Sequence, residues 1–166
     1  MPGTAWGAPL GGYPGPAFGQ GLNGNVKGIS NLTRLLLPRL RAAASEADPA
    51  RVINIGSVDG LRVPITENYA YSASKAAVHM LTRHLAHTLV GDHVNMNAIA
   101  PGLFPSRMTA YLFESVHAEE VIQDIPMKRA GTAEDIAGTA IYLSSRAGAY
   151  LTGVVLPVSG GIATID

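Results

Sequence analysis

The sequence predicts an α/β fold built on a doubly wound parallel sheet, and three observations carry that expectation. Helical and strand patterns alternate along the chain, in the order helix, strand, helix, strand, helix, strand. Each strand candidate is a short apolar run that stops at glycine, proline or serine, as a buried strand leading into a loop does. Nearly half of the residues are apolar and few are charged, which suits a chain with a well-buried core.

The opening stretch, MPGTAWGAPLGGYPGPAFGQGLNG, is half glycine and proline and has no charged side chain. Such a composition cannot sustain a helix or a central strand, so residues 1–24 are expected to form an irregular arm and residues 25–166 the folded domain. The arm's glycines do not read as a phosphate loop. No strand precedes them, and Pro9, Pro14 and Pro16 remove amides that such a loop needs. From Asn25 the pattern changes. Val26, Ile29, Leu32, Leu36 and Leu40 fall at helical spacing, with Pro38 late in the run. RVINIG then reads as a strand, and SVDG as the loop that ends it.

A long helix is expected from about Asn68 to Val90, with Gly91 as its C-cap. HVNMNAIAPG is a second strand, stopped by Pro101 and Gly102. In TAEDIAGTAIYLSS, Thr132 is the expected N-cap and Asp135 stands where a capping box has glutamate; the helix should reach about Ser145. TGVVLPVSGG is a third strand, and no internal repeat is present.

Strands separated by helices imply a parallel sheet with right-handed crossovers and helices on both faces. Ligands of such sheets lie beyond the carboxyl ends of the strands. Ser57, Pro101, Gly102 and Ser159 all fall just past strand ends and so converge on one rim.

Composition excludes several functions. With 166 residues, a single domain is expected. Zero net charge gives no basic footprint for nucleic acid and no polybasic patch for a membrane surface. The absence of cysteine removes disulfides, zinc–thiolate sites and cysteine nucleophiles. No apolar run approaches the ~20 residues of a membrane span, and the N-terminus lacks the basic start and apolar core of a signal peptide. A cytoplasmic protein is expected. His79, His84 and His87 share one helix, but no carboxylate or cysteine cluster joins them. They read as surface or interface histidines, and no metal is expected.

In YAYSASKAAVHM, one helical turn stacks Lys75 above Tyr71, and the small residues between them leave that face approachable. Taken bare, the pair reads as a core tyrosine and a solvated lysine. Ser57 adds to it, because it ends a strand fourteen residues earlier, within a loop's reach of the same face. A phenol of pKa ~10 is a poor acid or base at neutral pH. An ammonium one turn away would lower that value, and about two units correspond to ~2.7 kcal/mol. A serine hydroxyl facing the phenol could steady a carbonyl oxygen while the proton moves. The three groups together make a carbonyl/alcohol redox site. Tyr69 points to another helix face and reads as packing near the pocket mouth.

INIGSVDG, YAYSASKAA, NAIAPGLFPSRMT and YLTGVVLPVSGG, in this order and spacing, resemble the C-terminal two-thirds of a short-chain dehydrogenase/reductase. The likeness is greatest to 3-oxoacyl-[acyl-carrier-protein] reductase-type members, including those of rhamnolipid-type pathways. It implies a partial Rossmann-like sheet and an NADP- or NAD-dependent ketoreductase acting on a small carbonyl or alcohol substrate, an acyl thioester among the candidates. It implies that Tyr71 is the general acid/base, that Lys75 lowers its pKa and binds the nicotinamide ribose, and that Ser57 positions the substrate carbonyl. Asn25 matches the asparagine that holds a water in the proton relay. Pro101, Gly102, Phe104 and Ser106 match the cofactor-binding turn, with Ser106 where threonine is usual. Ser159 departs from the family's aspartate. Arg107 to Ile125, with Met108, Leu112, Phe113, Val116 and Val121, matches the substrate-covering loop.

The family's N-terminal third, with its Thr-Gly-x-x-x-Gly-x-Gly turn for the diphosphate, has no counterpart in these 166 residues. The RVINIG strand is therefore expected to have an unpaired apolar edge, and dinucleotide affinity and turnover are expected to be low. The resemblance also implies a homo-oligomer. A rival reading is a non-catalytic piece that associates with full-length relatives through its helices, the Ala73, Ala76 and Ala77 stripe allowing close packing.

Overall fold

Parallel strands cannot be joined by a hairpin, so each must reach the next through a crossover, usually a helix. The computed structural model, which describes residues 7–114 and 118–164, follows that rule. Its elements run α1 (Gly15–Gly21), α2 (Gly28–Ala43), β1 (Ala50–Ile55), α3 (Tyr69–Leu89), β2 (Val94–Pro101), α4 (Ala110–Phe113), α5 (Ala118–Gln123), α6 (Ala133–Ser144) and β3 (Val155–Val158). The strands form one parallel sheet in the order β1-β2-β3, with Ala50 opposite Val94 and Ala98 opposite Val155.

β2 is central and buried over Val94–Ala100, which explains its unbroken apolar and amide run. On one face Val94 and Met96 pack with Ala86 and Leu89 of α3, and Leu37 and Leu40 of α2 lie against them. Full burial contributes about 1.5–3 kcal/mol for each large apolar side chain of this kind. The intervening residues point the other way. There Asn95 and Asn97 donate to the Ala149 and Leu151 carbonyls at 2.7 and 2.8 Å, in the segment leaving α6. Helices therefore cover both faces. Among the described residues β1 is an edge strand, and Ile55 on it is half exposed, as its sequence leads one to expect.

Of the irregular arm expected over residues 1–24, the described part up to residue 14 holds only a 3-10 turn, Leu10–Gly12, but the part from Gly15 is helical. Residues 1–6 lie outside the described residues, and Gly15–Gly21 runs into a π-helical turn, Leu22–Lys27, and then into α2. Proline is tolerated because Pro16 stands in the first turn, where no amide partner is required. The small residues allow contact instead: the Tyr13 hydroxyl accepts the Ala70 amide at 3.1 Å, capping a free donor at the start of α3. The Tyr13 ring also meets Tyr69 edge-on at 5.3 Å.

The π turn inserts an extra residue and shifts the helix phase. Of the stripe expected on α2, Leu40 packs on the core, joined by Leu37 and a buried Thr33, while Leu32 and Leu36 are exposed. Gly91 is not the left-handed cap of α3. A 3-10 turn, Val90–Asp92, prolongs the helix, and His93 (φ 56°) takes that conformation. The Thr132–Asp135 capping box forms as expected. The covering stretch 107–125 holds two short helices, α4 and α5, and Val116 lies outside the described residues.

Candidate functional site

Ser57 follows β1 directly, where Gly56 extends the ladder by donating to the Ile99 carbonyl at 2.7 Å. Its hydroxyl accepts the Asp59 amide at 3.2 Å and so caps the short 3-10 turn Val58–Gly60. That turn is tied to α3. The Asp59 carboxylate accepts from Asn68 at 2.9 Å, and Gly60 lies so near the helix that a Cβ there would stand 2.6 Å from the Ala76 nitrogen and the Lys75 carbonyl carbon. Ser57 is thereby brought to the first turn of α3, beside Tyr71, near enough for its hydroxyl to influence the phenol's protonation.

Ser57, Tyr71 and Lys75 are all buried. Burial raises the Tyr71 pKa above 10.0; the Ser57 hydrogen bond opposes this and the Asp59 charge adds to it. Lys75 Nζ donates to the Ile55 carbonyl at 2.9 Å and lies 5.5 Å from the centre of the Tyr71 ring. Burial depresses its own pKa. The lysine effect expected from the sequence does not prevail, and the phenol is held in its protonated form.

Asn25 sits in the π turn and donates to the Ser74 hydroxyl at 2.8 Å, which donates to the Tyr71 carbonyl at 2.7 Å. It therefore touches the helix turn that carries Tyr71 and Lys75. Pro101 and Gly102 end β2; the Gly102 amide donates to the Val158 carbonyl at 2.9 Å, and a Cβ there would stand 2.8 Å from the Ser159 Cα. The glycine is what lets the β2 and β3 ends close together. Phe104 packs on Gly131 and lines a cavity of about 250 Å³ with Leu103, Met127 and Arg129. Ser106 hydrogen-bonds Thr109 at 2.9 Å.

The sequence reading missed His79, which is buried beneath the Ser57 loop and not on the surface. The signal was present: His79 follows Lys75 by four residues, so it shares the face of α3 that carries Tyr71 and Lys75. Tyr13, Asn68 and Asp59 were also missed.

A family profile described as enoyl-(acyl carrier protein) reductase matches residues 6–163. The chain is 49% identical over 160 residues to a rhamnolipids biosynthesis 3-oxoacyl-[acyl-carrier-protein] reductase of Pseudomonas aeruginosa, covering 96% of this chain and 62% of that protein. It is 34% identical over 142 residues to the 3-oxoacyl-[acyl-carrier-protein] reductase FabG of Thermotoga maritima, covering 85% of this chain and 55% of that one. The solved Pseudomonas aeruginosa RhlG/NADP active-site complex superposes with a TM-score of 0.93 at 48% identity, over 97% of this chain and 63% of that one. The chain thus spans about three-fifths of the relatives' length. The match reaches back to residue 6 and so includes most of the glycine- and proline-rich opening stretch. With the parallel sheet, the Tyr71/Lys75 helix and the Ser57 loop in place, the chain belongs to the short-chain dehydrogenase/reductase family.

Proposed function

We propose that this chain carries the catalytic rim of a ketoreductase that moves a hydride between NADP(H), or NAD(H), and a ketone or secondary alcohol, 3-oxoacyl thioesters included. One observation carries this reading: the Ser57 loop is tied down onto α3, which sets Ser57 beside Tyr71 with the Lys75 ammonium 5.5 Å from the Tyr71 ring centre. The thioester follows the printed activity of the Pseudomonas aeruginosa relative, and NADP the complex of its structural neighbour.

The donor set suits the nicotinamide-riboside end of a dinucleotide. An ammonium and a phenol one turn apart can serve a ribose diol, and the Pro101–Gly102 turn lies on the same rim. Phe104 and Ser106 are assigned there by the resemblance. Among the described residues no strand leads through a glycine-rich turn into a helix, so nothing there suits the diphosphate. When bound, the dihydronicotinamide supplies the hydride. Tyr71, protonated at neutral pH, donates its Oη proton to the carbonyl oxygen as charge develops on it. Ser57 donates to the same oxygen. Lys75 holds the ribose and offsets the phenolate charge left behind. Asn25 fixes the helix turn through Ser74 and, by the resemblance, holds the water that returns the proton.

Reduced nicotinamide mononucleotide with an acetoacetyl thioester tests this, because it lacks the adenine half. Slow oxidation is expected, lowered by on the order of 10²–10⁴ in Tyr71→Phe. Equal rates in the wild-type chain and Tyr71→Phe overturn the reading. NADPH is expected to serve little better than the mononucleotide, and ordinary steady-state NADPH turnover would contradict the low activity proposed for this 166-residue chain.

A second reading, association with another copy or with full-length relatives, is favoured by the apolar exposure of α2 and α3. Leu32, Leu35 and Met80 are 59, 65 and 61% exposed. Sedimentation of the chain and of Leu35→Lys tests it, a monomer in both counting against it. No described helix is long and apolar enough to cross a membrane, and a cytoplasmic setting is proposed with the reaction.

A further inference from the structure

His79 is 2% exposed, and its Nε2 accepts the Ser57 amide at 3.4 Å. In the neutral imidazole the proton therefore sits on Nδ1. Nδ1 is itself buried and makes no well-formed hydrogen bond. The Ser57 loop is shaped around this ring: a Cβ at Gly56 would stand 2.1 Å from Nε2, and one at Gly60 2.9 Å from Cε1. A leucine would fill similar space without stranding a nitrogen, so the imidazole is costly unless its other nitrogen has a task.

We infer that His79 is a positioning residue: its Nε2 holds the Ser57 amide and so aims the Ser57 hydroxyl at Tyr71. This rests on the reading of Ser57 and Tyr71 as the reacting pair. The acceptor is kept free because burial holds the imidazole pKa below its ordinary value; the Gly60 carbonyl opposes this, and the charges of Arg83 and Lys75 add to it.

The 166-residue chain, labelled for NMR, tests the inference without turnover. Long-range proton–nitrogen spectra should report the Nδ1–H tautomer. His79→Leu removes the acceptor, so exchange of the Ser57 amide should quicken by on the order of tenfold while β2 amides hold. The Tyr71 titration should move upward, as in Ser57→Ala. His79→Gln, whose amide oxygen reaches the Nε2 position, should restore both. A packing role alone would move neither site-specific readout. If His79→Leu fails to fold, His79→Asn, whose oxygen stops short, takes its place against His79→Gln. Unchanged Ser57 exchange and Tyr71 titration on loss of the acceptor would overturn the inference, as would a glutamine variant as impaired as the others. Absence of turnover leaves these readouts intact, so the two readings fail separately.

Discussion

Gly60→Ala tests how the rim is assembled. A Cβ at this position would stand 2.6 Å from both the Ala76 nitrogen and the Lys75 carbonyl carbon, and 2.9 Å from His79 Cε1. Two of these three are backbone atoms inside a helix and cannot swing aside. Ordinary carbon contacts begin near 3.5 Å, so the loop must withdraw by roughly 1 Å. Overpacking of this kind costs about 1–3 kcal/mol. Weakening the Asn68–Asp59 and Ser57–His79 hydrogen bonds adds about 1 kcal/mol. The expected loss is about 2–4 kcal/mol, or roughly 5–12 °C in Tm for a chain of this size. Gly60 is not among the positive-φ glycines, so the variant isolates the close approach from backbone strain. Gly91→Ala, with nothing within 4 Å of its Cβ, is the control and should stay within about 1 kcal/mol. Thermal and urea melts measure both. Gly60→Ala melting with the control would refute the packing of the Ser57 loop on α3.

Acid should destabilise the fold through His79. Its folded-state pKa lies below 6.5, so the unfolded chain binds the proton more readily; this stability is present above 6.5 and is lost as pH falls through the folded value. Urea midpoints at successive pH values check this, and His79→Leu should flatten the dependence. Lys75→Met should separate stability from activity. Burial depresses the Lys75 pKa, so the buried ammonium costs stability throughout neutral pH, and a methionine of similar length should hold or raise Tm while ending the proposed reaction. A clear fall in Tm would contradict that sign.

The sheet was legible because buried parallel strands leave a plain mark: Val94–Ala100 has no exposed residue, and its sequence shows it. Tyr71, Lys75 and Ser57 were legible from spacing and from their place at a strand end. The glycine- and proline-rich start was not. Local propensity argues against a helix there, whereas the Tyr13 cap on Ala70 and close packing along α3 are tertiary effects that composition does not encode. The true core face of α2 was hidden because a stripe of i,i+4 steps from Leu32 to Leu40 drifts by about 80° around a regular helix, whereas Thr33, Leu37 and Leu40 keep to one side. Burial, which no spacing rule measures, turned the expected depression of the Tyr71 pKa into a rise.

The most direct test of the proposed acid is the titration of Tyr71 itself, followed at its ring Cζ by NMR. The phenol should titrate above 10.0, move further up when Ser57→Ala removes the hydroxyl facing it, and move down when Asp59→Asn removes the nearby charge. A Tyr71 midpoint at the ordinary value and indifferent to both changes would mean that no such pair exists on this rim.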